Sequence, residues 1–414
     1  MENKKIIFKL GQFPHLSETF ILAQIITAIK SGFDVKVIIG KLLDFESSKQ
    51  QDLISKYEIK DKIILEDFKI PKNRIIRILK WAGLLLINFQ NANLIFKYYK
   101  AHSKFSLTWL YQWVFYNQFN DAAIFHVQYG TNSGGLSLLK KVGFKPSLIV
   151  SFHGHDAFFP INGFIPNNGY YDNLFKYGDL IVANTPYLAE ILIELGCPEK
   201  MLKIVPVGVD TDFFYQKKIQ RNDQISRLIT VGRLNIVKGH IYAFQVIKKL
   251  KHEGLDVKLT VVGEGPEREK LENYIRDNNL TDSIVLVGSK SRDEIRELLW
   301  KNDIFVFSSV SLHNGKSTET QGLVTIEAMA CGLPAIVFDS GGVKYTLENG
   351  ISGFLCDEYD IDCMSAKIKT LVDDNSILIE MGKQANHFAN KNYSQKMIDS
   401  KWQIIYNKLS NGKY

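Results

Sequence analysis

The sequence predicts an α/β protein built from two doubly wound, parallel-sheet domains. Three observations predict it. Short apolar runs alternate with amphipathic helical runs, the pattern of a parallel sheet covered by helices on both faces. The chain has 414 residues, 45% of them hydrophobic, more than a single core usually organises. Charged residues make up 23%, which fits a folded, water-facing chain rather than a disordered or membrane-spanning one.

The elements follow in order. "KKIIFKLG" opens the first domain as a strand, "SETFILAQIITAIKSG" follows as a helix, and "DVKVIIG" is the next strand. Residues 68–120 read as inserted helices. "AAIFHVQYG", "PSLIVSFHG" and "DLIVANT" are strands, each running into a turn-rich loop. "VPVGVDTDFF" at 205–214 reads as a linker. Beyond it, strands at 227–232, 257–263, 283–288, 303–309 and 334–340 alternate with helical runs such as "PEREKLENYIRDNN" and "LVTIEAMACG". The expected boundaries are 1–205 for the first domain, with its basic helical insertion at 68–120, and 206–375 for the second. Terminal helices at 376–414 are expected to cross back to the first. Ligands of such sheets bind at the carboxyl ends of the strands, so the chemistry is sought in those loops.

The net charge of +7 is uneven. Residues 1–205 carry 24 basic and 17 acidic side chains, whereas 206–414 carry 27 of each. Within 68–120 there are eight basic residues and no acid, interleaved with Ile, Leu, Trp, Phe and Tyr. That composition suits the surface of an anionic membrane, and equally an ordinary helical subdomain with solvated charges. No nucleic-acid motif accompanies it. The first residues lack the apolar core of a secretory signal, and "WAGLLLINF" is too short to span a bilayer. The four cysteines, Cys197, Cys331, Cys356 and Cys363, have no metal-ligand spacing and are expected to be reduced in a cytoplasmic protein.

"TETQGLVTIEAMACGLP" at 318–334 places Glu319 in a loop and Glu327 inside the helix that begins near Gly322. The amides of Gly322, Leu323 and Val324 lack intrahelical partners and can receive an anion. Carboxylates repel phosphate but accept bonds from hydroxyls. Two of them flanking an anion site suit a ligand with a polyol at each end. Taken alone, they equally suit surface acids at a helix start. "VGRLNIVKGH" adds Arg233 and Lys238 in a loop directly after a strand, two cations able to neutralise a diphosphate without a metal. "VVGEGPERE" imitates a dinucleotide fingerprint but lacks its third glycine, and reads as a tight strand-to-helix turn. His153, His155 and Asp156 in "HGHD" lack a fourth metal ligand, and "DTD" at Asp210 and Asp212 lies in the linker and reads as a turn.

"VGRLNIVKG", "VVGEGPE", "VLVGS" and "ETQGLVTIEAMACGLPAI", in that order, resemble glycosyltransferase family 4. "GQFPHLSETFI", "FHVQYG" and "SFHGHD" resemble its bacterial exopolysaccharide, colanic-acid-type branch. The likeness covers nearly the whole chain, with 41–110 matching weakly. It implies the GT-B architecture, two Rossmann-like domains facing a cleft, and a retaining hexosyltransferase that uses a nucleotide diphosphate sugar and no metal or other cofactor. By position it implies that Glu319 binds the donor sugar and Glu327 the ribose. Arg233 and Lys238 would hold the diphosphate beside Gly232 and the amides of Gly322, Leu323 and Val324, and Val287 and Gly288 would line the base pocket. In the first domain it implies that Gly11 lies near the phosphates and His153 near the anomeric carbon, with Asp156 and Ser17 on the acceptor side. The acceptor it implies is a glycan; if 68–120 docks on a membrane, the acceptor expected is an undecaprenyl-diphosphate-linked oligosaccharide at the cytoplasmic leaflet. Tyr345 stands where the family often has the glutamate of GGxxE. Two other functions remain compatible with these residues: a nucleotide-sugar 2-epimerase, and a silent nucleotide-sugar-binding scaffold.

Overall fold

The computed structural model describes residues 4–14, 19–45, 50–102, 104–158, 169–217, 225–312 and 317–412. The chain divides into two compact units. The first gathers the chain up to Asn184 with Leu188–Val205 and the chain from Asp399 on, and the second comprises Thr185–Tyr187 and Pro206–Ile398. The helix Asn375–Tyr393 therefore belongs to the second unit, and the return to the first begins at Asp399 rather than at 376.

The first unit holds one seven-stranded parallel sheet. Its strands are β1 (Lys5–Phe13), β2 (Asp34–Leu42), β3 (Ile63–Leu65), β4 (Ile124–Gln128), β5 (Ser147–Ser151), β6 (Leu180–Ala183) and β7 (Leu202–Ile204), in the order β3-β2-β1-β4-β5-β6-β7. β1 is buried on both faces from Ile6 to Leu10, as a strand roofed by helices must be. The order reverses between β1 and β4, so their carboxyl ends open the crevice where such sheets take ligands.

Helices Arg74–Ile87, Ala92–Ala101 and Thr108–Asn117 form the insertion. Asn73 starts the first by accepting from the amides of Ile75 and Ile76 at 2.9 and 3.2 Å. A buried triad ties the last to the sheet. Lys9 on β1 reaches Glu66 at 2.5 Å and the Tyr116 hydroxyl at 2.6 Å, and that hydroxyl also donates to Glu66.

The second unit holds a six-stranded parallel sheet of β8 (Ser226–Val231), β9 (Val257–Val262), β10 (Ile284–Gly288), β11 (Ile304–Phe307), β12 (Ala335–Phe338) and β13 (Gly353–Cys356), in the order β10-β9-β8-β11-β12-β13. Its reversal lies between β8 and β11. Leu228, Leu259 and Val306 face one apolar layer, while Ile229, Phe305 and Phe307 face the other. No helix among the described residues is long and apolar enough to cross a membrane.

The expectation of four reduced cysteines is corrected here. Cys356, at the end of β13, and Cys363, in the first turn of the helix Ile361–Asp373, form a disulfide. The short strand-to-helix connection brings their Cα atoms to 5.9 Å, within bridging range. Cys197 and Cys331 are free and buried, and burial pushes each thiol up to about 12.

Candidate active site

In the second unit the loops that follow β8 and β11 meet at the sheet reversal. The β8 loop is held from one side by the β9 loop. Gly232 donates to Val262 at 2.9 Å and Leu234 to Glu264 at 2.9 Å. The approach is so close that a Cβ on Gly263 would stand 1.9 Å from the Gly232 carbonyl. The glycines of "VVGEGPE" thus serve to buttress the loop bearing Arg233 and Lys238. Asn235 caps the turn by accepting from the Lys238 amide at 3.1 Å, and the Val310 amide donates to the Val237 carbonyl at 2.8 Å, tying this loop to the one after β11.

Lys238 forms an ion pair with Glu319, both side chains being 20% exposed. The other Glu319 oxygen accepts from the Gly322 amide at 3.2 Å. Gly322 adopts a left-handed φ of 80° and opens the helix Leu323–Ala330, so the Gly322 amide at that helix start and the Lys238 ammonium converge on the Glu319 carboxylate. Burial works to raise the Glu319 carboxyl, but the Lys238 charge and the amide outweigh it and hold the group below its ordinary 4.5. The Glu319 backbone is fixed as well: its carbonyl accepts from Gly342 at 2.8 Å, and a Cβ on Gly342 would fall 1.9 Å from the Thr320 carbonyl. Arg233 is exposed and makes no ion pair among the described residues.

Glu327 lies one turn further along the same helix. Its carboxylate has no hydrogen-bond partner among the described residues. Burial pushes it up to about 7, against a smaller opposing effect of the Arg292 charge. Arg292 stacks on Phe213 at 4.2 Å and reaches Asp210 at 3.4 Å. Asp210 also accepts from the Phe213 amide at 3.1 Å, which makes the "DTD" stretch a capped turn. Val287 and Gly288 end β10, where Gly288 accepts from the Gly263 amide at 3.0 Å. Among the described residues no cluster of three or more His, Cys, Asp or Glu side chains is placed to hold a metal.

In the first unit, Gly11 and Gln128 line one pocket of about 300 Å³, together with Leu10, Gln12, Ile21, Tyr129, Thr131 and Asn132. His153 bonds to one of these lining residues, its Nε2 2.9 Å from Gln128 Oε1. The Gln128 amide nitrogen donates to Gln24 and, at 3.3 Å, to His126 Nε2. Only the oxygen is left to face His153, so His153 carries its proton on Nε2. Burial pushes the His153 imidazole down to about 3, keeping it neutral near pH 7.

Asp156, expected on the acceptor side, is held among the backbone amides of its own loops. It is 2% exposed, and it accepts from the amides of Gly130 at 2.7 Å and of His153 and Gly154 at 3.0 Å each. Its carboxylate ties the β4 and β5 loops together. Ser17 lies outside the described residues. Sequence reasoning missed Gln128, His126 and Gln24. The signal was present in "IFHVQ", where two polar residues at i and i+2 fall on one face of an otherwise apolar strand and must bond to each other or to neighbours.

Residues 80–213 match the family model described as Glycosyltransferase Family 4, and residues 212–394 match the one described as Glycosyl transferases group 1. The chain belongs to glycosyltransferase family 4. This family 4 transferase is 25% identical to WcaL of Escherichia coli strain K12, a protein assigned to colanic acid biosynthesis, over 95% of its own chain and 97% of that protein. It is 27% identical to the amylovoran biosynthesis glycosyltransferase AmsK of Erwinia amylovora, over 87% of its own chain and 89% of the relative. Among solved structures, Alr3699/HepE of Anabaena in complex with UDP and glucose superposes with a TM-score of 0.68 at 15% identity, covering 98% of the transferase and 99% of that chain. The transferase therefore has the GT-B fold of two Rossmann-like parallel-sheet domains.

Proposed function

We propose that this transferase moves a sugar from a nucleotide diphosphate sugar to a glycan acceptor in bacterial surface polysaccharide biosynthesis, with retention of anomeric configuration. One observation carries the donor half of the reading: Lys238 and the Gly322 amide converge on a single anion, at the sheet reversal, with Arg233 on the same loop as Lys238. Fixed positive charge of this kind stabilises a departing diphosphate where the transition state develops charge, so the reaction needs no metal. Val287 and Gly288 border the base, Glu327 accepts from the ribose hydroxyls and Glu319 from those of the sugar. In the first unit, Gly11 is assigned to the phosphates and His153 to the sugar near its anomeric carbon.

The acceptor hydroxyl forms its bond to the anomeric carbon on the face from which the phosphate oxygen leaves. The hydroxyl proton passes to that phosphate oxygen. No carboxylate acts as a covalent nucleophile. The exopolysaccharide role rests on the assignments of WcaL and AmsK, and UDP as a candidate carrier on HepE. The test is transfer from a panel of UDP- and GDP-sugars by the intact enzyme and by Glu319→Ala, Glu327→Ala and Lys238→Ala. All three variants are expected to lose activity. Wild-type rates in all three refute the assignment, and consumption of donor without acceptor identifies an epimerase instead.

The acceptor is proposed to be lipid-linked and met at an anionic bilayer surface. Helix Arg74–Ile87 turns Trp81, Leu84 and Leu85 toward the core of its unit and leaves Ile75, Leu79, Leu86 and Ile87 between 67% and 81% exposed. Phe89, Phe96 and Phe105 are similarly bare, and the acid-free run around them supplies the basic side chains that anionic headgroups attract. Flotation with phosphatidylglycerol vesicles should carry the protein, and the doubly substituted Leu86→Asp, Ile87→Asp protein should stay behind. Equal flotation with neutral and anionic vesicles refutes the electrostatic part.

A further inference from the structure

The anion cradle of the second unit is already filled, and Glu319 fills it. One carboxylate oxygen binds the Lys238 ammonium and the other takes the Gly322 amide. These are two of the donors that the proposed function gives to the diphosphate. A phosphate oxygen can reach either of them only by displacing the carboxylate. The Glu319 main chain cannot follow, because Gly341 and Gly342 press on the backbone of residues 319 and 320 and the Glu319 carbonyl accepts from Gly342 at 2.8 Å. The side chain alone must rotate away.

A displaced, half-buried carboxylate beside incoming phosphates is costly unless new donors meet it. A nucleotide sugar brings such donors in its sugar hydroxyls, whereas a nucleoside diphosphate brings none. We propose that Glu319 is a specificity-determining residue that makes the site favour a nucleotide sugar over the nucleoside diphosphate left after transfer. It does so by competing with phosphate for Lys238 and Gly322. Once the sugar has gone to the acceptor, the carboxylate swings back onto both groups and drives the product out. This inference rests on the donor-site reading above and adds to it a selection against product.

Calorimetric titration of the full chain with UDP, GDP, ADP, CDP, UDP-glucose, UDP-N-acetylglucosamine and GDP-mannose tests it. The proteins compared are wild type, Glu319→Gln, Glu319→Asp and Lys238→Met. Glu319→Gln should bind the accepted nucleoside diphosphate about tenfold more tightly than wild type and the matching nucleotide sugar more weakly. Glu319→Asp keeps the charge, so it should leave the diphosphate as weak as in wild type while losing affinity for the sugar form. A parallel change in both ligands on Glu319→Gln, in either direction, overturns the selection. So does tighter diphosphate binding by Glu319→Asp, which also decides the matter should the glutamine variant fail to fold. In either case a loss of all nucleotide binding in Lys238→Met still upholds the donor site. Unchanged binding in every variant, or no binding of any of the seven compounds by wild type, removes the donor-site reading and this inference with it.

Discussion

Glu327 offers the sharpest quantitative test, because its carboxylate is placed in a helix with no hydrogen-bond partner among the described residues. Burial raises it from its ordinary 4.5 to about 7. Below pH 4.5 the group is protonated in both the folded and the unfolded chain, and contributes no difference. Between 4.5 and 7 the unfolded chain ionises while the folded chain keeps its proton. Folding stability therefore falls as pH rises through this window, and the loss is complete above about pH 7. At full value the shift corresponds to about 3 kcal/mol, and partial access of solvent to the side chain reduces it to about 1–2 kcal/mol. Glu327→Gln removes the ionisation. Its Tm should exceed that of wild type only slightly at pH 5 and by roughly 4 °C at pH 8, for a unit of this size. Donor affinity should behave in the opposite sense. A carboxylate accepts from two ribose hydroxyls and a carboxylic acid does so poorly, so wild-type affinity should rise with pH up to about 7 and then level. Scanning calorimetry from pH 5 to 8, paired with donor titrations, gives both curves. Parallel Tm curves for wild type and Glu327→Gln would refute the half-buried carboxylate with a raised pKa.

Three further outcomes are expected. Gly263→Ala should destabilise by about 2–4 kcal/mol in chemical denaturation and weaken donor binding, because the new Cβ meets the Gly232 carbonyl at 1.9 Å and the residue holds a φ of 146°. Asp156→Ala should cost about 3 kcal/mol and Asp156→Asn nearly as much, since the asparagine NH2 would confront an amide that now donates to a carboxylate; thermal denaturation checks both. Lys9→Met should cost about 2–3 kcal/mol by leaving the half-buried Glu66 without its cation, and adding Glu66→Gln should restore part of that loss in urea titrations.

Much of the fold was legible because the central strands state their surroundings. Runs such as "IIFKL" and "DIFVF" are too continuously apolar for a half-exposed strand, and the helices between them are plainly amphipathic. The strands that escaped notice are β3, β7 and β13, all at sheet edges and only three or four residues long, where neither length nor burial leaves a pattern. The site divided along a similar line. Charged residues on loops after strands were readable, since Lys238 and Glu319 have no structural reason to be partly buried except each other and a ligand. What could not be read was how they are spent in the folded chain. That Glu319 satisfies Lys238, or that Asp156 is exhausted by three amides of its own neighbourhood, depends on backbone approaches set by glycines far apart in sequence. Gly342 lies 23 residues beyond Glu319 and Gly263 lies 30 residues beyond Arg233, yet each lets its backbone approach the other's loop where a Cβ would collide. Polar partners inside a sheet are equally hidden, because Gln128 finds Gln24 and His153 only after β4 and β5 are in register. A linear sequence shows which groups want partners. The pairing is decided where close-packed backbones allow them to meet, and the groups left over, Arg233 and Glu327 here, are the ones most open to a ligand.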